Sequence, residues 1–365
     1  MAQSVIHIKD SAAAAQIVKP TLGVRLAFFP ILAAGIVLLF LLELSIGTVK
    51  IPVSEIVNII FGGATQHVAW SEIILRLRMP RAVTATIASS ALAAGGLLLQ
   101  TLFRNPLAGP WVLGITAGAK CGVALTLVIA GASSVSAFGR FGFLGNLSLA
   151  GGATLGAVMA LLLIFAISRR VGVITLLICG LMFQYLAPSV TGILLHLTTE
   201  KQVETYGQWN DATFSATTWE QLQIMAPVVL ACVVIALLMS KSLNVLLLGE
   251  NYAKSLGLNL ARTKLLAIVS MIGLSGVVTA FCGPVTFLDL AVPHLCRGLF
   301  KTSDHRALMP AVILTGAFIG LAADLFVHLP WERHVFHLNY VTALIGAPVI
   351  LWIILRQKHM RTMDQ

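Results

Sequence analysis

LRMPRAVTATIASSALAAGGLLLQTLFRNPLAGPWVLGITAGA, Leu77 to Ala119, holds three signals in one run. A basic cluster, Arg76, Arg78 and Arg81, precedes it or opens it. An apolar stretch rich in Ala, Ser and Gly follows, Ala82–Leu102. Then a polar connector, Arg104-Asn105-Pro106 with Pro110, leads into a second apolar stretch from Trp111. About 20 apolar residues in a helix cross the hydrocarbon of a bilayer. Small residues at small-xxx-small spacing let helix backbones approach closely in lipid. Pro106 and Pro110 stiffen the short turn between the two stretches.

The rest of the chain has the same character. Of 365 residues, 58% are hydrophobic and 10% charged, and the mean hydropathy is +0.93. Soluble domains carry about 25% charged residues. The formal net charge of +10 sits in clusters at the ends of apolar runs, which is how membrane proteins fix orientation and not how a nucleic-acid surface is built. Cys121, Cys179, Cys232, Cys282 and Cys296 lie in or beside apolar segments without a CxxC pair, and read as small buried hydrophobes. Residues 1–21 contain Lys9, Asp10 and Lys19 and no apolar core, so the first apolar run reads as an uncleaved helix.

Ten apolar segments follow in order: Leu22–Ser45, Ala82–Leu102, Trp111–Ala130, Ala150–Ser168, Val171–Leu197, Ile224–Ser240, Thr263–Phe281, Thr286–Cys296, Ala307–His328 and Asn339–Leu355. The eighth is too short to span, follows Gly283-Pro284 and contains Pro293, so it is expected inside the protein, away from lipid. An even number of crossings puts both termini on one side. That side carries the larger share of Lys and Arg, from Lys9 and Arg25 to Arg356 and Arg361; the other has Lys50, Arg76, Arg78, Arg81, Arg140, Lys201 and Arg333. The expected fold is an all-α polytopic membrane protein with about ten transmembrane helices, one short and buried, and both termini cytoplasmic. Residues 1–21 form a cytoplasmic segment, 22–356 one permease domain with a cytoplasmic loop at 241–264, and 357–365 a cytoplasmic tail.

The phosphate-cradling motif G-x-x-x-x-G-K-[ST] is absent, so the chain has no nucleotide site of that kind. Intramembrane charges are few: Glu43, Lys120, Asp289 and Asp324. The loop KSLNVLLLGENYAKSLGLNLARTK, Lys241–Lys264, is amphipathic; Leu246, Leu247, Leu248, Ala253, Leu256 and Leu260 can share a helical face, and Gly249 and Gly257 bound a short helix from Glu250. Its residues fit either a helix lying flat on lipid or one inserted into a groove of a partner.

Leu77–Ala119 closely resembles the signature of FecCD-type permeases, the membrane subunits of ATP-binding-cassette importers of ferric siderophores, haem and cobalamin. LLLGENYAKSLGLN, GPVTFLDLAVPHLCRGLFKTSDHRALMP and VTALIGAPVILWII match further family motifs in family order, covering most of the chain from Leu77 onward. The resemblance implies a second permease subunit, two cytoplasmic ATPase subunits and a periplasmic binding protein in the cytoplasmic (inner) membrane, with ATP and Mg on the ATPase and no cofactor or metal in this chain. It implies that Leu248, Gly249, Glu250, Ala253, Leu256 and Gly257 form the element that couples to the ATPase. It gives Arg78 and Arg81 the role of receiving acidic residues of the binding protein, for which the planar guanidinium is suited; snorkelling to headgroups is the rival reading, and docking is favoured over it. Arg104, Asn105, Pro106, His294, Arg297, Asp304, His305 and Arg306 match motifs of the cytoplasmic face. The fifth apolar segment, Val171–Leu197, is expected to line the path, with Met182, Gln184 and Tyr185.

The chain departs from the family pattern in four places. His328 stands where the family often has a further docking arginine, and Asp289 stands where it usually has Gly. The W-x-x-G-S-L element reads WNDATF, Trp209–Phe214, and L-P-V-G reads FHLN, Phe336–Asn339. Asp289 is open to three roles: meeting substrate, pairing with Lys120, or bonding in the interior. His67, His196, His328, His334 and His337 near the outer side invite a haem reading, but satisfied surface or interfacial histidines are the stronger explanation. The expected function is import of an iron chelate by alternating access, ferric siderophore ahead of haem and cobalamin. The alternatives are an ion-coupled secondary transporter using Asp289, Asp324 and Lys120, and a membrane scaffold or receptor subunit without a path. The chelate and the identity of the second permease are not encoded in any motif.

Overall fold

A computed structural model describes residues 22–63, 67–132, 142–168, 170–171, 173–330 and 336–363. The N-terminal segment 1–21, Arg140, Arg333, His334 and the last two residues of the tail lie outside them. The described residues are helical, without strands. The helices are α1 Leu22–Ser45, α2 Val53–Ile60, α3 Val68–Leu102, α4 Ile115–Ala132, α5 Gly142–Ser168, α6 Val173–His196, α7 Glu200–Asn210, α8 Trp219–Leu238, α9 Ser240–Leu247, α10 Glu250–Ser255, α11 Leu260–Cys282, α12 Leu288–Phe300, α13 His305–Val327 and α14 Leu338–Met363. Among the described residues seven helices are long and apolar enough to cross a membrane: α1, α3, α5, α6, α8, α11 and α13; Ile115–Ala130 and Leu338–Leu351 are shorter apolar helices. Each apolar segment read from the sequence coincides with a helix.

The small residues of α3 explain its place at the centre. A side chain at Gly96 would strike the backbone of Asp289 on α12, and one at Gly95 would strike Ser275 of α11. On the opposite side Gly316 and Gly320 of α13 press against Ser89. Ser90 Oγ donates to the Ile313 carbonyl at 2.9 Å, tying α3 to α13 in the interior. Gly118 and Gly122 of α4 meet Gly152 and Gly156 of α5 backbone to backbone. In lipid, packing of this kind is the main attraction between helices.

The chain breaks between α11 and α12. Gly283 has φ +76 and Phe287 φ +69. Asn339 holds the break: its Oδ1 accepts from the Thr286 N–H at 3.0 Å and the Thr286 hydroxyl at 3.2 Å, and its amide donates to the Pro284 carbonyl at 3.0 Å. The following helix α12 has 13 residues, and Leu288, Asp289, Val292, His294 and Cys296 are buried. Irregular backbone at membrane depth survives only where protein covers it, and α3 and α14 provide that cover.

Candidate functional site

Three clusters carry the polar chemistry. The first is the loop at 241–264. The sequence allowed one continuous apolar face over 246–260; the structure divides it. Gly249, at φ +108, ends one helix and starts α10. Leu246, Ala253 and Leu260 turn inward and form a small core. Leu248, Tyr252 and Leu256 remain 61%, 57% and 57% exposed. Glu250 faces Lys264 at 2.7 Å, bracing α10 against the start of α11. Gly257, at φ +79, closes the element. Tyr252 carries no signal in the sequence; only its exposure reveals it.

Arg104 stands beside this loop. It is non-glycine at φ +45, ending α3, and its guanidinium approaches Gly249. Arg104, Glu250 and Lys264 line one cavity of about 100 Å³. Asn105 Oδ1 accepts from the Leu107 N–H at 2.9 Å, a local turn that sets Pro106 in place. The connector is thus a prop for α10.

Next to it, α12 and α13 are fastened to the end of α3. Arg297 donates to Gln100 Oε1 at 2.5 Å. His305 Nε2 lies 2.7 Å from Thr101 Oγ1, and its Nδ1 and backbone N–H both lie 2.8 Å from Asn244 Oδ1. The Asn244 amide donates to Asp304 Oδ1 at 2.5 Å, which fixes the orientation of the amide. Oδ1 can only accept, so His305 carries its proton on Nδ1, and its Nε2 faces the Thr101 hydroxyl, which also lies 2.8 Å from the Leu97 carbonyl. Asp304 caps α13 by accepting from the Arg306 N–H at 2.9 Å. These bonds, with the Arg306 charge nearby, hold the Asp304 carboxyl below the usual carboxylate range. His294 Nδ1 bonds the Leu290 carbonyl at 2.8 Å inside α12. Asn244, the hub of this network, escapes the sequence reading: a lone Asn in an apolar loop gives no signal.

The third cluster lies at the other end. Arg78 is 5% exposed and donates to the carbonyls of Leu44 at 2.7 Å, Ser45 at 3.1 Å and Val49, closing the end of α1. Arg81 forms ion pairs with Glu43 of α1 and, at 3.2 Å, with Asp324 of α13. Both carboxylates are buried. His328 Nδ1 reaches the Asp324 carbonyl at 2.9 Å and Nε2 lies 3.0 Å from Ser215 Oγ. The exposed arginine of the cluster is Arg76, paired with Glu72 at 2.7 Å.

The path residues divide. Met182 and Tyr185 of α6 are exposed, at 57% and 73%, while Gln184 donates to the Trp111 carbonyl. Asp289 is buried at the first turn of α12, against the N–H groups of its own residue and Leu290, where a helix start favours a carboxylate. Among the described residues it forms no ion pair with Lys120, and Asp324 is taken by Arg81. The three residues of the ion-coupled alternative do not converge.

The sequence model of the FecCD transport family matches residues 35–356. The hemin transport system permease protein HmuU of Yersinia pestis is 31% identical over 91% of this chain and 98% of its own length. The vitamin B12 import system permease protein BtuC of Klebsiella pneumoniae is 32% identical over 78% of this chain and 83% of its own. The ferric enterobactin transport system permease protein FepD of Escherichia coli is 32% identical over 87% and 91%. A solved structure of a transporter assigned to the metal-chelate type of ABC transporter, in an inward-facing conformation, matches with a TM-score of 0.75 and 27% identity, covering 89% of this chain and 97% of that one.

Proposed function

The chain belongs to the FecCD transport family, multi-pass membrane permease subunits of ABC importers of metal-chelate type, and from that premise we propose that it carries an iron chelate from periplasm to cytoplasm by alternating access. The chain is a transport subunit and not an enzyme; the ATPase is a separate partner. The observation that carries the mechanism is the element around α10. Leu248, Tyr252 and Leu256 are exposed apolar side chains on and beside a six-residue helix, braced from behind by Ala253, Glu250–Lys264 and Arg104. A rigid apolar knob of this kind suits a groove in a partner. Nucleotide-driven movement of the groove then reaches α9, and through Asn244 and His305 it reaches α13 and α3.

The remaining assignments belong to the same reading. About ten transmembrane helices, one short and buried, with both termini in the cytoplasm, is the topology supported by the Lys and Arg bias. A second permease, identical or paralogous, completes the path along α6. A ferric siderophore is the first choice of cargo, haem the second and cobalamin the third, in keeping with relatives named for hemin, enterobactin and vitamin B12. A periplasmic binding protein docks at the end carrying Arg78, Arg81 and His328. That docking has a structural condition: a visiting carboxylate must displace Glu43 or Asp324 from Arg81.

The test is co-purification of the chain with its ATPase subunits, followed by ATP-dependent uptake into proteoliposomes in the presence of chelate-loaded binding protein. Uptake that continues without the ATPase subunits refutes the mechanism.

A further inference from the structure

The described part of the molecule holds a cavity of about 230 Å³ beside the α11–α12 break, and it contains an unanswered charge. Lys120 of α4 lines it, together with Asn210, Asp211, His337, Trp111 and Tyr340. Among the described residues the Lys120 ammonium has no carboxylate within 4 Å and no hydrogen-bond acceptor. A lysine within an apolar helix is costly to keep and points to a function. Asn210 Oδ1, in the same wall, is buried and also lacks a partner. Asp211 is the acid of this wall; it is 57% exposed to water and faces His337 at 3.9 Å, so it does not answer Lys120.

The position is as informative as the charge. Asn210 and Asp211 belong to WNDATF; His337 and Asn339 belong to FHLN. The two stretches lie more than 120 residues apart in sequence, and the fold brings them together around Lys120. Gln184 of α6 bonds the Trp111 carbonyl, which puts this wall next to the helix assigned to the path. Sites for whole small molecules occupy roughly 300–1,000 Å³, so this cavity is sized for one group of a larger cargo. Trp111 and Tyr340 add aromatic side chains to the same wall.

We propose that this cavity binds a carboxylate or other anionic group of the cargo, with Lys120 as the charge-pairing residue. The proposal rests on the permease reading and adds to it that the cargo is an anionic chelate. A neutral cargo has no use for the ammonium.

The test uses the full chain in nanodiscs, with the difference between wild type and Trp111→Phe isolating the Trp111 emission. Hemin and hemin dimethyl ester differ in two carboxylates and serve as cargo probes; iodide and caesium serve as quenchers independent of any cargo. In the wild type iodide quenches Trp111 more strongly than caesium, and hemin binds more tightly than its ester. Lys120→Met removes the iodide preference and weakens hemin by about tenfold or more, as expected for one charge-assisted contact, leaving the ester unchanged. Lys120→Arg retains both effects and shows that the position tolerates replacement. Equal quenching by the two ions in the wild type, or hemin binding unaltered in Lys120→Met, overturns the proposal. ATP-driven uptake by the assembled transporter separates the two readings: uptake of a metal chelate at the wild-type rate by Lys120→Met sinks the anion site alone, whereas uptake independent of ATP sinks the permease mechanism.

Discussion

Arg81 Nε on α3 lies 3.2 Å from Asp324 Oδ2 on α13, and the same guanidinium pairs with Glu43 on α1. Three helices therefore meet through one cation. Removing one partner of a buried ion pair leaves charge uncompensated and costs about 3–5 kcal/mol, whereas replacing the whole group by neutral side chains is often neutral. Arg81→Met is expected to lower the unfolding temperature of the purified chain sharply. Glu43→Gln, Arg81→Met and Asp324→Asn combined should recover most of the loss. Asp324→Asn alone releases part of the hold on Arg81 and should tighten association with the binding protein, while Arg81→Met abolishes it. Unchanged association in both variants removes Arg81 from docking.

The exposed face of α10 makes a second prediction. Tyr252→Ala leaves the inward core of Leu246, Ala253 and Leu260 intact, so chain stability should change by no more than about 0.5 kcal/mol. Binding energy at protein interfaces concentrates in a few anchors, Tyr among them, and truncating one costs about 2 kcal/mol or more. Ligand-stimulated ATPase activity of the assembled transporter should fall by about tenfold or more. Normal stimulation in Tyr252→Ala together with Leu256→Ala would mean that another surface receives the stroke.

The contrast between these two clusters shows what the sequence could and could not reveal. Glycines at 249 and 257 announced a short helix because backbone at positive φ favours Gly. The apolar helices were equally legible, seven of them among the described residues long enough to cross a membrane, since hydrocarbon leaves the backbone few other options. Arg78 and Arg81 were visible as a cluster, but not that they face inward: Arg78 is occupied by carbonyls of residues 29 to 34 positions away, and Arg81 by acids from α1 and α13. Pairings of such separation depend on which helices become neighbours, and composition does not encode that. The cavity around Lys120 was hidden for the same reason, its walls coming from separate parts of the chain.

Asn244 carries the third prediction. It accepts from the His305 N–H and Nδ1–H and donates to Asp304. Asn244→Ala leaves part-buried donors without a partner, at about 1–3 kcal/mol. The expected result is a transporter that still hydrolyses ATP but imports little. Asp304 adds a pH signature. Its carboxyl is held below the usual range in the folded chain, so its contribution is complete above about pH 4, the ordinary carboxylate value, and fades as pH falls through the lowered value. Neutral-pH uptake should therefore be insensitive to Asp304 titration, and Asp304→Asn should weaken the cap of α13 chiefly above about pH 4. Import and hydrolysis falling in step in Asn244→Ala would assign the residue to assembly instead of transmission.

Asn339 provides the fourth. Its side chain makes three bonds to Pro284 and Thr286, all in the segment that separates α11 from α12. Each net bond contributes about 0.5–1.5 kcal/mol, and without them the Pro284 carbonyl and the Thr286 donors lose their side-chain partner. Asn339→Ala should lower the unfolding temperature and make Thr286→Cys more reactive toward a soluble thiol reagent. Asn339→Asp keeps the acceptor for Thr286 but loses the donor to Pro284, so its effects should be intermediate. Asn339 also lines the Lys120 cavity, which makes a change in import alone ambiguous; thiol reactivity reports on the break itself. If Thr286→Cys labels at the same rate with and without the added Asn339→Ala substitution, the clamp is not what holds the break closed, and α12 must instead be kept in place by the close packing of Gly96 against Asp289.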